Sequence, residues 1–147
     1  MKGLVAFYGL IGIFSLHALS TDLLDIAESA TPSQVEQAVK TGGDPNAVDS
    51  VGRTVLMLAA ASNPDPAVIS ALVRAGANVN ARGPQGWTPL IMAAYSNPTP
   101  AVVLALLAAG ANPRLRSDAG RTAFEYARDN DGLRGTEALK RLKAAGR

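Results

Sequence analysis

The chain has 147 residues, of which 48% are apolar and 18% charged, with a formal net charge of +2. That length suits one domain or one short array, and that composition sustains a packed core. There is no cysteine and a single histidine, His17, so disulfides, thiolate metal sites, cysteine nucleophiles and iron–sulfur ligation are excluded, as are His-based triads and metal sites once the N-terminal segment is removed.

Residues 1–20 have the pattern of an export signal. Lys2 supplies a minimal positive start and residues 3–16 are an apolar run. Ala18-Leu19-Ser20 places small residues where a signal peptidase cuts, after Ser20 or after Ala18. The alternative is a retained anchor, because residues 3–20 sit at the short edge of what spans a bilayer. Both readings place residues 21–147 outside the cytoplasm: periplasmic or secreted in the first case, inner-membrane anchored in the second. A bacterial lipoprotein is disfavoured because no cysteine follows the cut. The 10 arginines against 4 lysines fit a high-GC bacterial source. Residues 21–113 carry 4 basic and 7 acidic side chains, residues 114–147 carry 9 and 5. Neither the balance nor the expected export suits a nucleic-acid binder.

Leu23, Leu24 and Ile26 form the first short helix of the mature chain. Thr31-Pro32 caps the next, with Gln34 completing a capping box, and Val35, Ala38 and Val39 give it an apolar stripe that Gly42 ends. Thr54 then caps a thin, small-residue helix at residues 56–61. Asp65-Pro66 caps a second helix striped by Val68, Ile69, Leu72 and Val73, stopped by Gly76. Thr88-Pro89 and residues 90–95 repeat the thin helix. Thr99-Pro100, Val102, Val103, Leu106, Leu107 and Gly110 repeat the striped one. Thr122 opens a last copy. Asp129-Asn130-Asp131-Gly132 is the loop before a final helix at about 136–145, with Leu139 and Leu142 on one side and charge elsewhere.

The period is 34 residues. Gly52-Arg53-Thr54-Val55-Leu56 recurs as Gly86-Trp87-Thr88-Pro89-Leu90 and as Gly120-Arg121-Thr122-Ala123-Phe124. Ala75-Gly76-Ala77-Asn78 recurs as Ala109-Gly110-Ala111-Asn112, and Ser62-Asn63-Pro64-Asp65-Pro66 as Ser96-Asn97-Pro98-Thr99-Pro100. Each unit reads as helix, turn, helix and a turn-rich loop. No unit buries its stripe alone; stacked neighbours do.

Gly86-Trp87-Thr88-Pro89-Leu90-Ile91-Met92-Ala93-Ala94, with the preceding Gly76-Ala77-Asn78-Val79-Asn80-Ala81, resembles the ankyrin repeat, and the resemblance covers nearly all of residues 21–147. Met57, Ile91 and Glu125 stand where the family has its usual His, and only Pro89 keeps the family's Pro, so the usual Thr–His hydrogen bond is absent. The residue beyond the usual 33 lies in the Asn-Pro-x-Pro turn. The resemblance implies an all-α ankyrin-repeat solenoid of about four helix-turn-helix repeats with hairpin-like connecting loops. These divide at about 21–51, 52–85, 86–119 and 120–147, the last being a solvent-facing cap.

The resemblance also implies a protein-binding surface along the loop tips and first helices. Carried over position by position, that concave face comprises Val48, Ser50, Val51, Arg53 and Ser62, then Arg82, Gln85, Trp87, Tyr95 and Ser96, then Arg116, Asp118, Arg121 and Asp129. Trp87, Arg53, Arg82, Gln85, Tyr95, Arg116 and Arg121 are the candidates for partner contact, since Trp, Tyr and Arg are enriched at hot spots. Trp87, the mature chain's only tryptophan, is foremost among them; the plainer reading is that it covers a turn and stiffens the array. Tyr95 has the plainer reading of filling a gap between helices. Four arginines on one face point to an acidic patch on the partner, or merely solubilise the surface. Lys140, Arg141, Lys143 and Arg147 read as a solvated cap.

The pairs Asp129/Asp131 and Asp22/Asp25 lack any nucleophilic, basic or metal-binding companion, the Asp129–Gly132 loop is too short for an EF-hand, and no phosphate loop occurs. The expectation is a non-enzymatic protein–protein interaction module outside the cytoplasm. It needs no cofactor or metal, is monomeric, and binds a protein on its concave face. Nucleic acid is not a partner, and membrane is one only if residues 3–20 are retained. The alternatives are a membrane-tethered scaffold and an inert structural adaptor. An enzyme with an unrecognised acidic site is a more remote rival.

Overall fold

A computed structural model describes residues 22–146. The export signal, His17 and Arg147 fall outside the described residues. Among the described residues eight α-helices follow one another: α1 Leu23–Ile26, α2 Pro32–Lys40, α3 Val55–Ser62, α4 Pro66–Arg74, α5 Pro89–Ser96, α6 Pro100–Ala108, α7 Ala123–Ala127 and α8 Glu137–Ala145. Short 3₁₀ turns occupy Pro84–Gly86 and Asp131–Leu133. The described residues contain no strand beyond two isolated antiparallel bridges, Val48 to Thr54 and Arg116 to Thr122.

The odd-numbered helices stack in one row and the even-numbered helices in a second row behind it. The front row is thin because its residues are small: Ala59, Ala60, Ala93, Ala94, Ala123 and Ala127 are wholly shielded from water. Alanine lets backbones approach closely, which brings successive loop tips side by side. The core between the rows holds Leu56, Leu72, Leu90, Leu106 and Leu142, all fully buried, each contributing roughly 1.5–3 kcal/mol.

Local chemistry sets each helix end. The hydroxyls of Thr54, Thr88 and Thr122 accept from the backbone N–H groups three residues on, at 3.2, 3.2 and 3.5 Å. Thr31 with Gln34 and Thr122 with Glu125 form complete capping boxes. Thr99 departs from expectation. It occupies the cap position, yet its hydroxyl makes no capping bond, whereas the Asp65 carboxylate in the same place accepts from Ala67 N–H at 2.9 Å. Thr99 and Asp65 share ψ of 106° and 109°, against 159–168° at Thr54, Thr88 and Thr122, and in that backbone only the longer aspartate side chain reaches the N–H two residues on. At the other ends Gly42, Gly76 and Gly110 take φ of 101°, 102° and 92°. There the N–H groups of Gly43, Ala77 and Ala111 turn back onto Ala38, Leu72 and Leu106 carbonyls, which are Schellman closures.

Two asparagine ladders tie the repeats together. Asn63, Asn97 and Asn130 end the front-row segments and point inward. Asn63 Nδ2 donates to the carbonyls of Ala27 and Ala30, Asn97 Nδ2 to those of Ala60 and Asn63, and Asn130 Nδ2 to those of Ala94 and Asn97. The second ladder is exposed. Asn46 Oδ1 accepts from Asn78 N–H and Asn80 Oδ1 from Asn112 N–H, while their amides donate to Gly76 and Gly110 carbonyls. At the third step Arg114 replaces asparagine and reaches the Ala145 carbonyl of the terminal helix. The 129–132 segment, expected as a plain loop, is thus part of the buried ladder, with Gly132 seated against Pro98.

Candidate functional site

Three loops of like geometry lie along the front row. In each, one backbone bond closes a tight tip: Asp49 N–H to Arg53 carbonyl, Gly83 N–H to Trp87, and Ser117 N–H to Arg121, all at 2.9 Å. The 34-residue period therefore places Arg53, Trp87 and Arg121 at one position of successive tips.

Between the first two tips lies an open groove of about 220 Å³. Buried Met57 of α3 and half-buried Met92 of α5 form its floor. Val51 and Arg53 come from one loop, and Pro84, Gln85 and Trp87 from the next. Small-molecule sites run about 300–1,000 Å³, so this groove suits a side chain or two of a larger partner. The methionine thioethers are flexible and polarizable, which lets the wall adapt to its occupant. Val51 in its lining, and Val48 three residues before it in the chain, are large apolar residues left more than half exposed, at 59% and 55%.

Trp87 is half-buried. Its ring centroid lies 5.1 Å from both Tyr95 and Tyr126, and those two lie 5.9 Å apart. Edge-on and tilted contacts of this kind contribute about 0.5–1.5 kcal/mol each beyond burial. Tyr126 is buried, with its hydroxyl 3.0 Å from Ser117 Oγ, and the Arg121 guanidinium lies 4.3 Å from its ring centroid. Tyr95 remains 57% exposed, so it does not fill an interhelical gap; it flanks Trp87 at the surface. The Trp87 indole N–H has no hydrogen-bond partner among the described residues, and it is not sealed from water.

Gln85 is held in an unusual conformation, with φ 58° and ψ 20°, followed by Gly86 at φ 68°. With the Trp87 N–H donating to the Pro84 carbonyl at 3.1 Å, this is a type I′ turn. Left-handed backbone costs a non-glycine residue about 1–2 kcal/mol. The Gln85 carbonyl accepts from Asp118 N–H of the next loop at 2.8 Å, which fixes the turn from outside.

The four candidate arginines are all internally paired. Arg53 Nε meets Asp49 Oδ2 at 2.7 Å, Arg82 meets Asp118 at 3.7 Å, Arg116 meets Glu125 at 3.5 Å, and Arg121 meets Asp129 at 3.1 Å. The face is a neutral mosaic, so unopposed positive charge does not support an acidic complement on the partner. Asp49 is held below the usual carboxylate range, chiefly by the Arg53 backbone N–H, against partial desolvation and with help from the Arg53 side chain and Val51 N–H. Glu125 is lowered by the Thr122 backbone N–H and hydroxyl first, then by Arg116 and Arg121.

The structure thus gathers Arg53, Gln85 and Trp87 at one groove, sets Tyr95 against Trp87, and leaves Arg82, Arg116 and Arg121 on the neighbouring loops. Sequence reasoning missed Met57, Met92, Pro84 and Tyr126. Met57 drew notice only as a replacement for the usual His. Met92 recurs at 34 residues as Leu58 and Tyr126, which reads as core. Among the described residues no three His, Cys, Asp or Glu side chains are placed to hold a metal. Asp131 pairs with Arg134 at 2.8 Å and Asp129 with Arg121.

Compared with known families, the chain matches a model described as ankyrin repeats (3 copies) over residues 23–117. No curated protein matches it.

Proposed function

The chain belongs to the ankyrin-repeat family, and we propose that it acts as a non-enzymatic binding module that holds a protein partner against the loop tips and front helices, outside the cytoplasm. Ankyrin repeats are protein–protein interaction modules. The observation that carries the choice of face is the apolar groove lined by Trp87 and exposed Val51, with exposed Tyr95 in ring contact with Trp87. Large apolar and aromatic residues left partly in water, around a hollow with adaptable methionines, are the makings of a hot spot. The export reading is supported by the composition of residues 1–20. No helix of the described residues is long and apolar enough to cross a membrane.

Site-specific photocrosslinking in the native cell tests the face. A benzophenone amino acid in place of Tyr95 gives an adduct with one protein, and the same group in place of Ser70, exposed on back-row helix α4, does not. Adducts from Ser70 alone would move the site to the other surface. Fractionation of the same cells locates the protein, and its intact mass distinguishes a cut after Ser20 or Ala18 from a retained anchor. Recovery of an uncut chain from the cytoplasm would overturn the export reading. A stiffening role for Trp87, favoured by its contacts with Tyr95 and Tyr126, predicts instead that Trp87→Ala lowers stability and leaves adduct yield unchanged.

A further inference from the structure

The three loop tips are joined to one another unequally. Between the second and third, the Gln85 carbonyl accepts from Asp118 N–H at 2.8 Å. One period earlier, Val51 and Pro84 hold those two positions between the first and second. Proline has no N–H to donate. That rung is therefore missing, and the Val51 carbonyl accepts no hydrogen bond from any described residue. The backbones are otherwise placed alike. A methyl carbon on Gly86 would lie 3.1 Å from the Asp118 nitrogen, and one on Gly52 would lie 3.9 Å from Pro84 Cδ, the atom that replaces the amide hydrogen.

The side chains follow the same division. Across the tied gap, Arg82 meets Asp118 at 3.7 Å, and both crowd the space above Gly86. Their counterparts one period earlier are Val48 and Pro84, which cannot pair. Among the described residues neither a hydrogen bond nor an ion pair joins the first tip to the second. The groove of about 220 Å³ lies in that gap, with Val51 from one tip and Pro84 from the next in its lining. A partner inserting between the second and third tips must first break their rung, at a cost of about fivefold in affinity for one net backbone bond. Between the first and second tips there is no rung to break.

We infer that Pro84 determines where on this face the partner docks: by withholding one N–H it leaves the first two tips untied and the groove between them open. This rests on the front-face reading above and names the residue that places the site.

Pro84→Ala restores the N–H, and Pro84→Asp copies the residue of the tied gap. Hydrogen exchange in ¹⁵N-labelled full-length protein reads the new amide at position 84. The expected result is exchange slowed at least about fivefold from the unstructured rate, as one net backbone bond gives. The Asp118 amide is the protected reference, and Ala119, whose N–H has no partner among the described residues, is the unprotected one. Trp87 is the chain's only tryptophan and part of the groove lining. Its quenching by acrylamide falls in Pro84→Ala. It does not fall with a lactic acid residue in place of Pro84, which has alanine's side chain but an ester oxygen for the N–H. In cells, Pro84→Ala lowers the yield of the Tyr95 photoadduct by about fivefold. Exchange at the unstructured rate in both variants would overturn the missing rung. Equal quenching of the alanine and lactic acid proteins would show that the N–H does not close the groove. A protected amide with undiminished adduct refutes the placing role of Pro84 and leaves the front-face reading standing. No Tyr95 adduct from the unsubstituted protein removes the front-face reading, and the placing role with it.

Discussion

The buried asparagine ladder makes a quantitative claim that an exposed ladder in the same molecule controls for. Asn97 is fully shielded and makes three side-chain hydrogen bonds: to the carbonyls of Ala60 at 3.0 Å and Asn63 at 2.9 Å, and from Thr99 N–H at 2.9 Å. At about 1 kcal/mol per net bond, Asn97→Ala costs about 3 kcal/mol, because the stranded carbonyls lie where water enters poorly. Asn46 makes two side-chain bonds, to Gly76 carbonyl at 2.9 Å and from Asn78 N–H at 2.8 Å, and its own backbone N–H donates to Asp44 Oδ1. Only the first two are lost in Asn46→Ala, and both sit at the surface, where water replaces them. That variant costs about 1 kcal/mol or less. Urea unfolding followed by circular dichroism measures both, with ΔΔG taken from the midpoint shift at constant slope. Against a total stability of about 5–15 kcal/mol for a domain of this kind, the difference is readily resolved. Equal losses per bond, three at Asn97 and two at Asn46, would refute the argument that burial sets the strength of the ladder.

Three further outcomes follow from local geometry. Gln85→Gly relieves a left-handed residue and raises stability by about 1 kcal/mol, measured by the same unfolding; a loss instead would mean that the Gln85 side chain supports the turn. Gly132→Ala drives a methyl group into the Pro98 backbone and costs more than about 2 kcal/mol, as overpacking against rigid chain does, whereas an unchanged midpoint would show that the 131–133 turn shifts freely. The lowered carboxyls of Asp49 and Glu125 make their contribution to stability complete above the unfolded values of about 3.9 and 4.3, and it is lost as pH falls below these through the folded values. Asp49→Asn with Glu125→Gln flattens that acid limb without altering the slope at neutral pH.

The repeat architecture was legible because it rests on short-range rules. Threonine caps, proline at the first turn, paired apolar positions and glycine closures recur at one offset, and the helices fall where those signals put them. What escaped were properties set by neighbours one repeat away. Asn63 and Asn97 look like turn residues because turns favour asparagine; that their amides span to the preceding repeat is visible only after stacking. Thr99 has the residue type of the capping threonines, but its ψ of 106° rather than 159–168° is set by the turn before it and is not legible in the sequence. The arginines read as a positive patch because pairing is not visible in composition: Asp118 meets Arg82 from another loop, and even Asp49, four residues before Arg53, reaches it only once the loop tip closes. Trp87 was identified from residue type and register, but Tyr126, which backs it, has the spacing of a core residue.

Pairing of the arginines bears on the kind of recognition proposed for this face. An unopposed cluster would steer an acidic partner from a distance and lose affinity steeply with salt. Here each guanidinium already meets a carboxylate within 4 Å, so the far field is weak and a partner gains little from net charge. Affinity must come instead from the apolar hollow and from directional donors, which salt leaves nearly untouched. Raising sodium chloride from about 0.05 to 0.5 M, across which the Debye length falls to a few ångströms, therefore changes partner affinity less than about threefold, read by calorimetry on the photocrosslinked partner once it is identified. A loss of tenfold or more would mean that the internal pairs open on binding and that the arginines engage acidic groups after all. Arg53→Gln, which leaves Asp49 without its guanidinium partner, then distinguishes the two accounts: it weakens an apolar partner only by one donor but an acidic partner by both lost attraction and new repulsion.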